Sequence, residues 1–587
     1  LDSFAAECHF LIENQGGLTL LEQTLSIMKK ARWIFPESTQ CHPAIQELLL
    51  GSPPADKTQF ETIKSGSHRT VYRIQLPGLD IHLKHNRISG FRSFVREFCR
   101  TPKGIYEYDT AIRLASMGIR TIEPIACGVG QGIAPESFLI TKTLEGALSL
   151  EKYWYELSRL DVPSQSAMKK QLIDAMAQTL ATMHAKGVLH NDLHPGNLMV
   201  ILNGGQPALS LIDLFPVRIK PNSLNWVERR SNLAMLDRWA KMHTRTTDRM
   251  RLWKAYTREV KAIEGNGAFP FHNKDWVRYQ MELLAREVML KNLGLWQRFD
   301  ARCMFNNRRF KIFKFKGKAG VRVADLDLDQ LEPFLENQSP QSLFPDAKVL
   351  KHSKSSTVIL CELPGKALQK EVIFKKITAT KWTDPIANIF RPDGTTRSWQ
   401  MATALLNRKL PTARQLAFWH QRKLLFKTDG YSLIEKIPNA SDMPKYVEMI
   451  LKMNPSARIS QIRTLIDSMA SLLRKMHDSG ISHRDLKSAN LMIQPEENPP
   501  KVWLVDLVGV RAHFYLSKKR KMQNLARLNA SFLQTPHITL TDRVRFLRQY
   551  LRWGTEGPFE WHGWWRDIAK LTDQKIAKNL KSGRPLA

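Results

Sequence analysis

MHAKGVLHNDLHPGNLM (183–199) and MHDSGISHRDLKSANLM (476–492) are one passage written twice, shifted by 476 − 183 = 293 residues. The text around it repeats too. LIDAMA (172–177) returns as LIDSMA (465–470), and LIDL (211–214) returns as LVDL (504–507) at the same shift. Upstream, KSGSHRTVYRIQLPG (64–78) answers KHSKSSTVILCELPG (351–365). Downstream, SNLAMLD (231–237) answers QNLARLN (523–529), and TDRMRLW (247–253) answers TDRVRFL (541–547). The order is the same in both halves, so the repeat is a duplicated domain and not a short-period solenoid. Each copy reads H-x-D-L-x-x-x-N, followed by two apolar runs about a turn, the second closing on Asp. LMVIL (198–202) and ALSLI (208–212) flank NGGQP (203–207), which predicts a β-hairpin. The second copy has PEENPP at that place.

This pattern brings an Asp and an Asn of a loop beside a second Asp at the end of a buried strand. In the first copy these are Asp192, Asn197 and Asp213, with His190 opening the motif. In the second they are Asp485, Asn490 and Asp506, with His483 in front. Phosphoryl transfer calls for that set. One carboxylate (Asp192, Asp485) orients the acceptor hydroxyl and takes its proton, while the carboxamide and second carboxylate (Asn197 with Asp213, Asn490 with Asp506) hold Mg²⁺ against the ATP phosphates. Hard oxygen ligands suit Mg²⁺. Capping or turn duty would explain one Asp, not a whole constellation repeated at constant offset.

These residues resemble the protein-kinase superfamily. HRDLKSAN is close to its catalytic-loop signature, and HNDLHPGN is similar to the loop of small-molecule kinases of the aminoglycoside and choline type. Further features resemble the lipopolysaccharide core kinases, the Kdo and heptose kinase family. That family has a strand lysine, a helix with Glu-aromatic, a Gly-Ile-x-Thr-x-x-Pro turn, the catalytic loop, and Asp-Leu-Asp in place of Asp-Phe-Gly. IHLKHN (81–86) offers Lys84, and YEYDTAIRLASMGIRTIEP (106–124) offers Glu107. In the second copy VIFKK (372–376) offers Lys375, and SWQMATALLNRKLPTA (398–413) fits the same helix and turn. The ending WWRDIAKLTDQKIAKNLKSGRPLA (564–587) also resembles that of bacterial members. The resemblance covers nearly the whole chain beyond about residue 58. It implies an α+β architecture of two tandem bilobal protein-kinase-like domains, each with a small β-rich N-lobe and a mostly helical C-lobe. It also implies that Lys84 and Lys375 contact the ATP α/β-phosphates, with Glu107 pairing Lys84. The implied activity is ATP-dependent phosphorylation of a hydroxyl on a lipopolysaccharide-core-like sugar, with ATP and Mg²⁺ as cofactors.

The two copies depart from the family pattern at different places. Neither has a glycine-rich phosphate loop: KSGSHRT holds Gly66 alone, and KHSKSST holds no glycine. Asn191 stands where the second copy has Arg484, and Ser398 stands where the first has Glu107. Both lack the second acid of Asp-Leu-Asp, having Phe215 and Val508. The intact Lys84–Glu107 pair favours the first domain as the active one, although the second keeps HRD. The repeated LPG (76–78 and 363–365) reads as a turn between strands.

At 587 residues the chain exceeds one hydrophobic core. The expected division is an N-terminal extension of unassigned role (1–57) with a Pro-rich linker at 48–57, a first kinase-like domain (58–300) and a second (301–587). A helix over Trp276–Leu295 would close the first, and RRFKIFKFKGK (308–318), read as a strand with one solvated face, would open the second. The six cysteines are scattered, which argues against a zinc module or disulfide framework. LDSFAAEC lacks the order of a signal peptide, and the expected location is cytoplasmic. The balance of 88 basic and 55 acidic residues, +33, favours anionic partners: a glycolipid or sugar acceptor, and peripheral contact with an anionic membrane surface. Candidate contacts are Arg308, Arg309, Lys311, Lys314 and Lys316, and the tail bearing Lys575, Lys578, Lys581 and Arg584. No compact basic-aromatic motif points to nucleic acid. Two other readings compete: a protein Ser/Thr kinase, weakened by the lack of an Ala-Pro-Glu-terminated activation segment, and a pseudokinase-type scaffold binding nucleotide or glycolipid without turnover.

Overall fold

The computed structural model describes residues 23–36, 42–50, 59–66, 68–88, 91–98, 100–131, 135–157, 159–336, 347–353, 356–363, 370–378, 392–423, 426–496, 499–533, 538–552 and 560–583. Residues 51–57 of the linker expected at 48–57, Pro364 and Gly365 of the second LPG, and Arg584 lie outside them. The chain forms two compact units, Leu1–Val288 and Met289–Ala587.

In the first unit a six-stranded antiparallel sheet runs in the order β1-β5-β6-β4-β3-β2. The strands are β1 (Arg32–Ile34), β2 (Gln59–Ser65), β3 (Arg69–Leu76), β4 (Leu79–Asn86), β5 (Pro124–Val129) and β6 (Ser137–Lys142). Alternation along β3 buries Thr70, Tyr72, Ile74 and Leu76, and Ile81 and Leu83 of β4 meet them in the same core. Lys84 therefore leaves β4 on the other face. Pro77 and Gly78 (φ +73°) turn the chain from β3 to β4. The segment before the repeat is part of this sheet: β1 pairs with β5, Trp33 lies against Gly128, and Ile45 and Leu48 of the helix Pro43–Leu50 are buried in its core. Positions 48–50, expected to begin a linker, end that helix.

Beyond the sheet the unit is mostly helical. Its longer helices include α1 (Lys103–Ser116), α2 (Val162–Ala185), α3 (Trp226–His243) and α4 (Thr246–Glu264). Pro at N1/N2 and an Asp161 cap start α2, and a reciprocal Asn225–Glu228 capping box starts α3. The catalytic-loop hairpin comprises β7 (Leu198–Asn203) and β8 (Gln206–Leu211). Its turn is the pair Gly204–Gly205, both at positive φ, so it is shorter than the five residues expected because the pairing continues to Asn203 and Gln206.

The second unit repeats this order. Its sheet has seven strands: β9 (Phe310–Phe315), β10 (Lys318–Val323), β11 (Lys348–Ser353), β12 (Ser356–Leu363), β13 (Lys370–Ile377), β14 (Gln415–Lys423) and β15 (Phe426–Glu435). They are ordered β9-β10-β14-β15-β13-β12-β11. The hairpin β9–β10 occupies the edge that β1 takes in the first unit. Its strand β9 does not alternate as expected: Phe310 and Phe313 are buried while Ile312 is exposed. The helix expected over Trp276–Leu295 runs Lys274–Ala301. The helical part of the second unit contains α5 (Gly394–Asn407), α6 (Pro455–Asp478), α7 (Lys518–Phe532), α8 (Leu540–Arg552) and α9 (Trp561–Lys581). No helix among the described residues is long and apolar enough to cross a membrane.

Candidate active sites

In the first unit β4 and α1 deliver two opposite charges to one point. Lys84 Nζ lies 2.5 Å from Glu107 Oε2, and the carboxylate is almost wholly buried. The same ammonium is 3.8 Å from Asp213 Oδ1. Asp213 sits two residues past β8 at φ +56°, a left-handed conformation that Asp tolerates better than most residues. Arg69, at the start of β3, donates to both of its oxygens, at 3.0 and 3.2 Å. Burial pushes the Asp213 carboxyl up, but the charges of Lys84 and Arg69 outweigh it and hold it below the ordinary carboxylate range.

The catalytic loop follows the strand Val188–His190. His190 is buried; its Nδ1 accepts from the Asp192 N–H (3.2 Å) and its Nε2 faces the Ile212 carbonyl (3.4 Å). Burial lowers its pKa, which keeps the imidazole neutral, as an accepting Nδ1 requires. Asn197 Nδ2 donates to the Asp192 carbonyl (2.9 Å), which turns its Oδ1 away as a free acceptor. Asp192 itself is 58% exposed, open to an incoming hydroxyl.

The second unit brings the corresponding groups together with fewer partners. Lys375 Nζ lies 3.1 Å from Asp506 Oδ1, while its neighbour Lys376 points to the opposite face of β13 and pairs with Asp429 at 3.2 Å. Asp506 adopts φ +53°, as Asp213 does. Burial raises its pKa, but Lys375 and the charge of Lys351 lower it further. Asn490 Nδ2 donates to the Asp485 carbonyl (2.7 Å), and Asp485 N donates to His483 Nδ1 (3.3 Å). In place of Glu107 is Ser398, whose Oγ accepts from Gln415 Nε2 at 2.7 Å and offers Lys375 no charge. A cleft of about 540 Å³ is bounded by Lys375, Asp485 and Asp506 and by the cations Lys351, Arg484 and Arg511.

Several supporting residues were not assigned a role from sequence. Tyr256 OH meets His184 Nδ1 (2.7 Å), His184 Nε2 meets Asn232 Oδ1 (3.1 Å), and Asn232 Nδ2 donates to the His190 carbonyl (2.7 Å). The second unit repeats the chain as Tyr550, His477 and Asn524, the last accepting from the His483 N–H at 2.8 Å. Each chain fixes the catalytic loop from beneath. Burial pushes His184 down to about 4. Thr121 and Thr412, in the turns after α1 and α5, donate to the Leu211 and Leu504 carbonyls at 2.9 and 2.8 Å, tying those turns to the strands before Asp213 and Asp506. The signal for all of these was their recurrence in the repeat. Arg69 carried the opposite signal, since its counterpart is Ser356.

For a divalent cation, each unit supplies one carboxylate and one outward-facing carboxamide oxygen. That is too few ligands for a closed protein cage and fits Mg²⁺, which takes one or two protein oxygens and completes its shell with phosphate and water.

The sequence profile of the lipopolysaccharide kinase (Kdo/WaaP) family matches the chain twice, over residues 65–256 and 365–550. The 3-deoxy-D-manno-octulosonic acid kinase of Vibrio cholerae is 36% identical over 109 residues, 19% of this chain and 40% of that protein. The lipopolysaccharide core heptose(I) kinase WaaP of Escherichia coli is 25% identical over 187 residues, 30% of this chain and 69% of that protein. The matched regions thus span 40% and 69% of the lengths of these two relatives. A solved structure of WaaP in complex with acyl carrier protein aligns with 44% of this chain and 99% of its own, at 19% identity and a TM-score of 0.31.

Proposed function

Because this chain belongs to the lipopolysaccharide kinase (Kdo/WaaP) family, we propose that it is an ATP-dependent kinase acting on a hydroxyl of a lipopolysaccharide-core-like sugar. We further propose two tandem bilobal protein-kinase-like domains, with the boundary near residue 300 at the end of the helix Lys274–Ala301, and the first 57 residues as an extension of the first domain. The observation that carries this reading is Lys84, held between Glu107 and Asp213 beside the Asp192–Asn197 loop.

On this reading Lys84 and Lys375 bind the α/β-phosphates of ATP, and Glu107 holds Lys84 extended toward them. Asn197 with Asp213, and Asn490 with Asp506, would hold Mg²⁺, which neutralises phosphate charge when bound. Asp192 and Asp485 orient the acceptor hydroxyl and receive its proton as the new P–O bond to the γ-phosphorus forms and the bond between that phosphorus and the β-phosphate oxygen breaks, releasing ADP. Neutral His190 and His483 each accept from the backbone N–H of that Asp and fix its position without competing for the proton.

The acceptor is anionic in this account, which suits a chain of charge +33, and the enzyme works at the inner face of the cytoplasmic membrane. Of the proposed surface contacts, Lys316 is paired with Glu336 at 2.8 Å, and Lys578 and Lys581 lie in the last turn of α9. Transfer of labelled phosphate from ATP to deep-core glycolipid, compared with free sugars and generic protein substrates, tests the assignment. Label on glycolipid supports it; label confined to protein would turn it toward a protein kinase.

A further inference from the structure

The two units differ most in the charge beside the catalytic loop. In the second, a cavity of about 280 Å³ is lined by Arg484, Arg511, Arg520 and Arg527, with Ser482 and His513 among them. None of these four arginines forms an ion pair among the described residues. His513 brings no negative charge: its Nδ1 accepts from Arg520 Nη1 at 2.6 Å, and its Nε2 is 2.8 Å from Ser482 Oγ. Four guanidinium groups around one small space repel one another, at a cost that an anion between them would remove.

The first unit shows what the same positions look like without that charge. Pairing of Val217 with His190 and of Val510 with His483 makes Arg218 the counterpart of Arg511. Arg218 is occupied, donating to Tyr106 OH (2.7 Å) and to the Phe215 and Val217 carbonyls (3.1 and 2.8 Å). Asn191 stands for Arg484, and Met235 for Arg527 within the aligned SNLAMLD and QNLARLN. At the third residue after the helix cap, Glu228 stands for Arg520 and pairs with Lys220. Where the first unit is neutral or internally paired, the second has collected unpaired arginines. Burial, followed by the charge of Arg484, lowers the Arg527 pKa against the opposing pull of Asp485, the one carboxylate that acts on it.

Position narrows the ligand. Arg484 and Arg511 also line the cleft that holds Lys375, Asp485 and Asp506. An anion in the arginine pocket is therefore next to the proposed base. The planar forks of arginine suit the oxygens of a phosphate. We propose that this pocket holds a phosphate monoester already present on the acceptor, so that the second unit acts on a phosphorylated sugar and an earlier phosphotransfer must supply its substrate. The proposal rests on the kinase reading above.

The test is calorimetric titration of the full chain with methyl phosphate, and separately with inorganic phosphate, at constant ionic strength. Both nucleotide sites are first filled with Mg²⁺ and a non-hydrolysable ATP analogue. Arg527→Met and Arg520→Glu introduce the residues the first unit carries at those positions, so the fold has a precedent for them. Methyl phosphate should bind the parent chain and bind each variant about tenfold or more weakly, the loss of one charge-assisted contact. Binding of the ATP analogue should be unchanged. Equal methyl phosphate affinity in parent and variants, or no binding to a parent chain that does bind the analogue, would overturn the proposal. Binding of inorganic phosphate alone would also overturn it, since the pocket would then take the free ion and not an acceptor. Failure of the kinase reading shows separately, as no binding of the analogue.

Discussion

Replacing Arg69 with Ser, the residue of the second unit at that position, should make the first unit bind Mg²⁺–nucleotide at lower metal concentration. Arg69 holds both oxygens of Asp213 at 3.0 and 3.2 Å, so the guanidinium must leave before that carboxylate can face a cation. One nitrogen, Nη1, makes both contacts, and a charge-assisted hydrogen bond of this kind is worth about 1.5–3 kcal/mol. Side-chain exposures of 28% and 23% admit water and salt to this pair, which reduces the figure to about 1–2 kcal/mol. The competition removed is then about five- to thirtyfold in metal affinity. The assay is fluorescence titration of a labelled ATP analogue against Mg²⁺, in a chain whose second site is silenced by Asp506→Asn. The half-saturating Mg²⁺ concentration should fall by that factor in the Arg69→Ser chain. An unchanged or higher value would refute the reasoning and make Arg69 a phosphate ligand or a purely structural residue.

Lys84→Met leaves Glu107 buried without its cation and should destabilise the first unit by about 3–5 kcal/mol in urea unfolding, with Glu107→Gln in the same chain restoring much of it. Lys375→Met should cost less, because Ser398 replaces the buried carboxylate and Asp506 is 41% exposed. His184 is held at about 4 against an ordinary 6.5, so the unfolded chain binds the extra proton between those values. Its contribution is complete above pH 6.5 and is lost as pH falls toward 4, a total of roughly 3 kcal/mol. Denaturant melts across that range should show the loss in the parent chain and less of it in His184→Gln. Sedimentation with acidic vesicles should fall steeply as salt rises, with little binding to neutral vesicles, since docking by Lys and Arg is screened over about 8 Å at physiological ionic strength.

Much of this was legible in the repeat. The strand lysines, the loop Asp and Asn, and the closing Asp are fixed by local pattern: alternation along β4 places Lys84 opposite Ile81 and Leu83, and a hairpin returns Asp213 to the loop. What pattern did not reveal was long-range pairing. Arg69 lies 144 residues from Asp213 and reads as one more basic residue on a basic strand. His184, Asn232 and Tyr256 meet only once three helices pack, and the arginine pocket draws on a loop, a short strand and α7. The edge strand β9 misled because its partner β10 presents Gly320 opposite Phe313, so local packing replaces simple alternation. β1 had no repeat partner to announce it, since the second unit fills that edge with a hairpin of different sequence.

The central claim, that the paired loops transfer phosphate from ATP to a core-sugar hydroxyl, is tested most directly with γ-labelled ATP and deep-core glycolipid. The parent chain should be compared with Asp192→Ala, Asp485→Ala and the double variant. Label should appear on the glycolipid, with a loss of about 10²–10⁴-fold in the turnover of whichever unit loses its base and nucleotide affinity little changed. Undiminished transfer by the double variant, or no transfer by a parent chain that binds Mg²⁺–ATP, would contradict it.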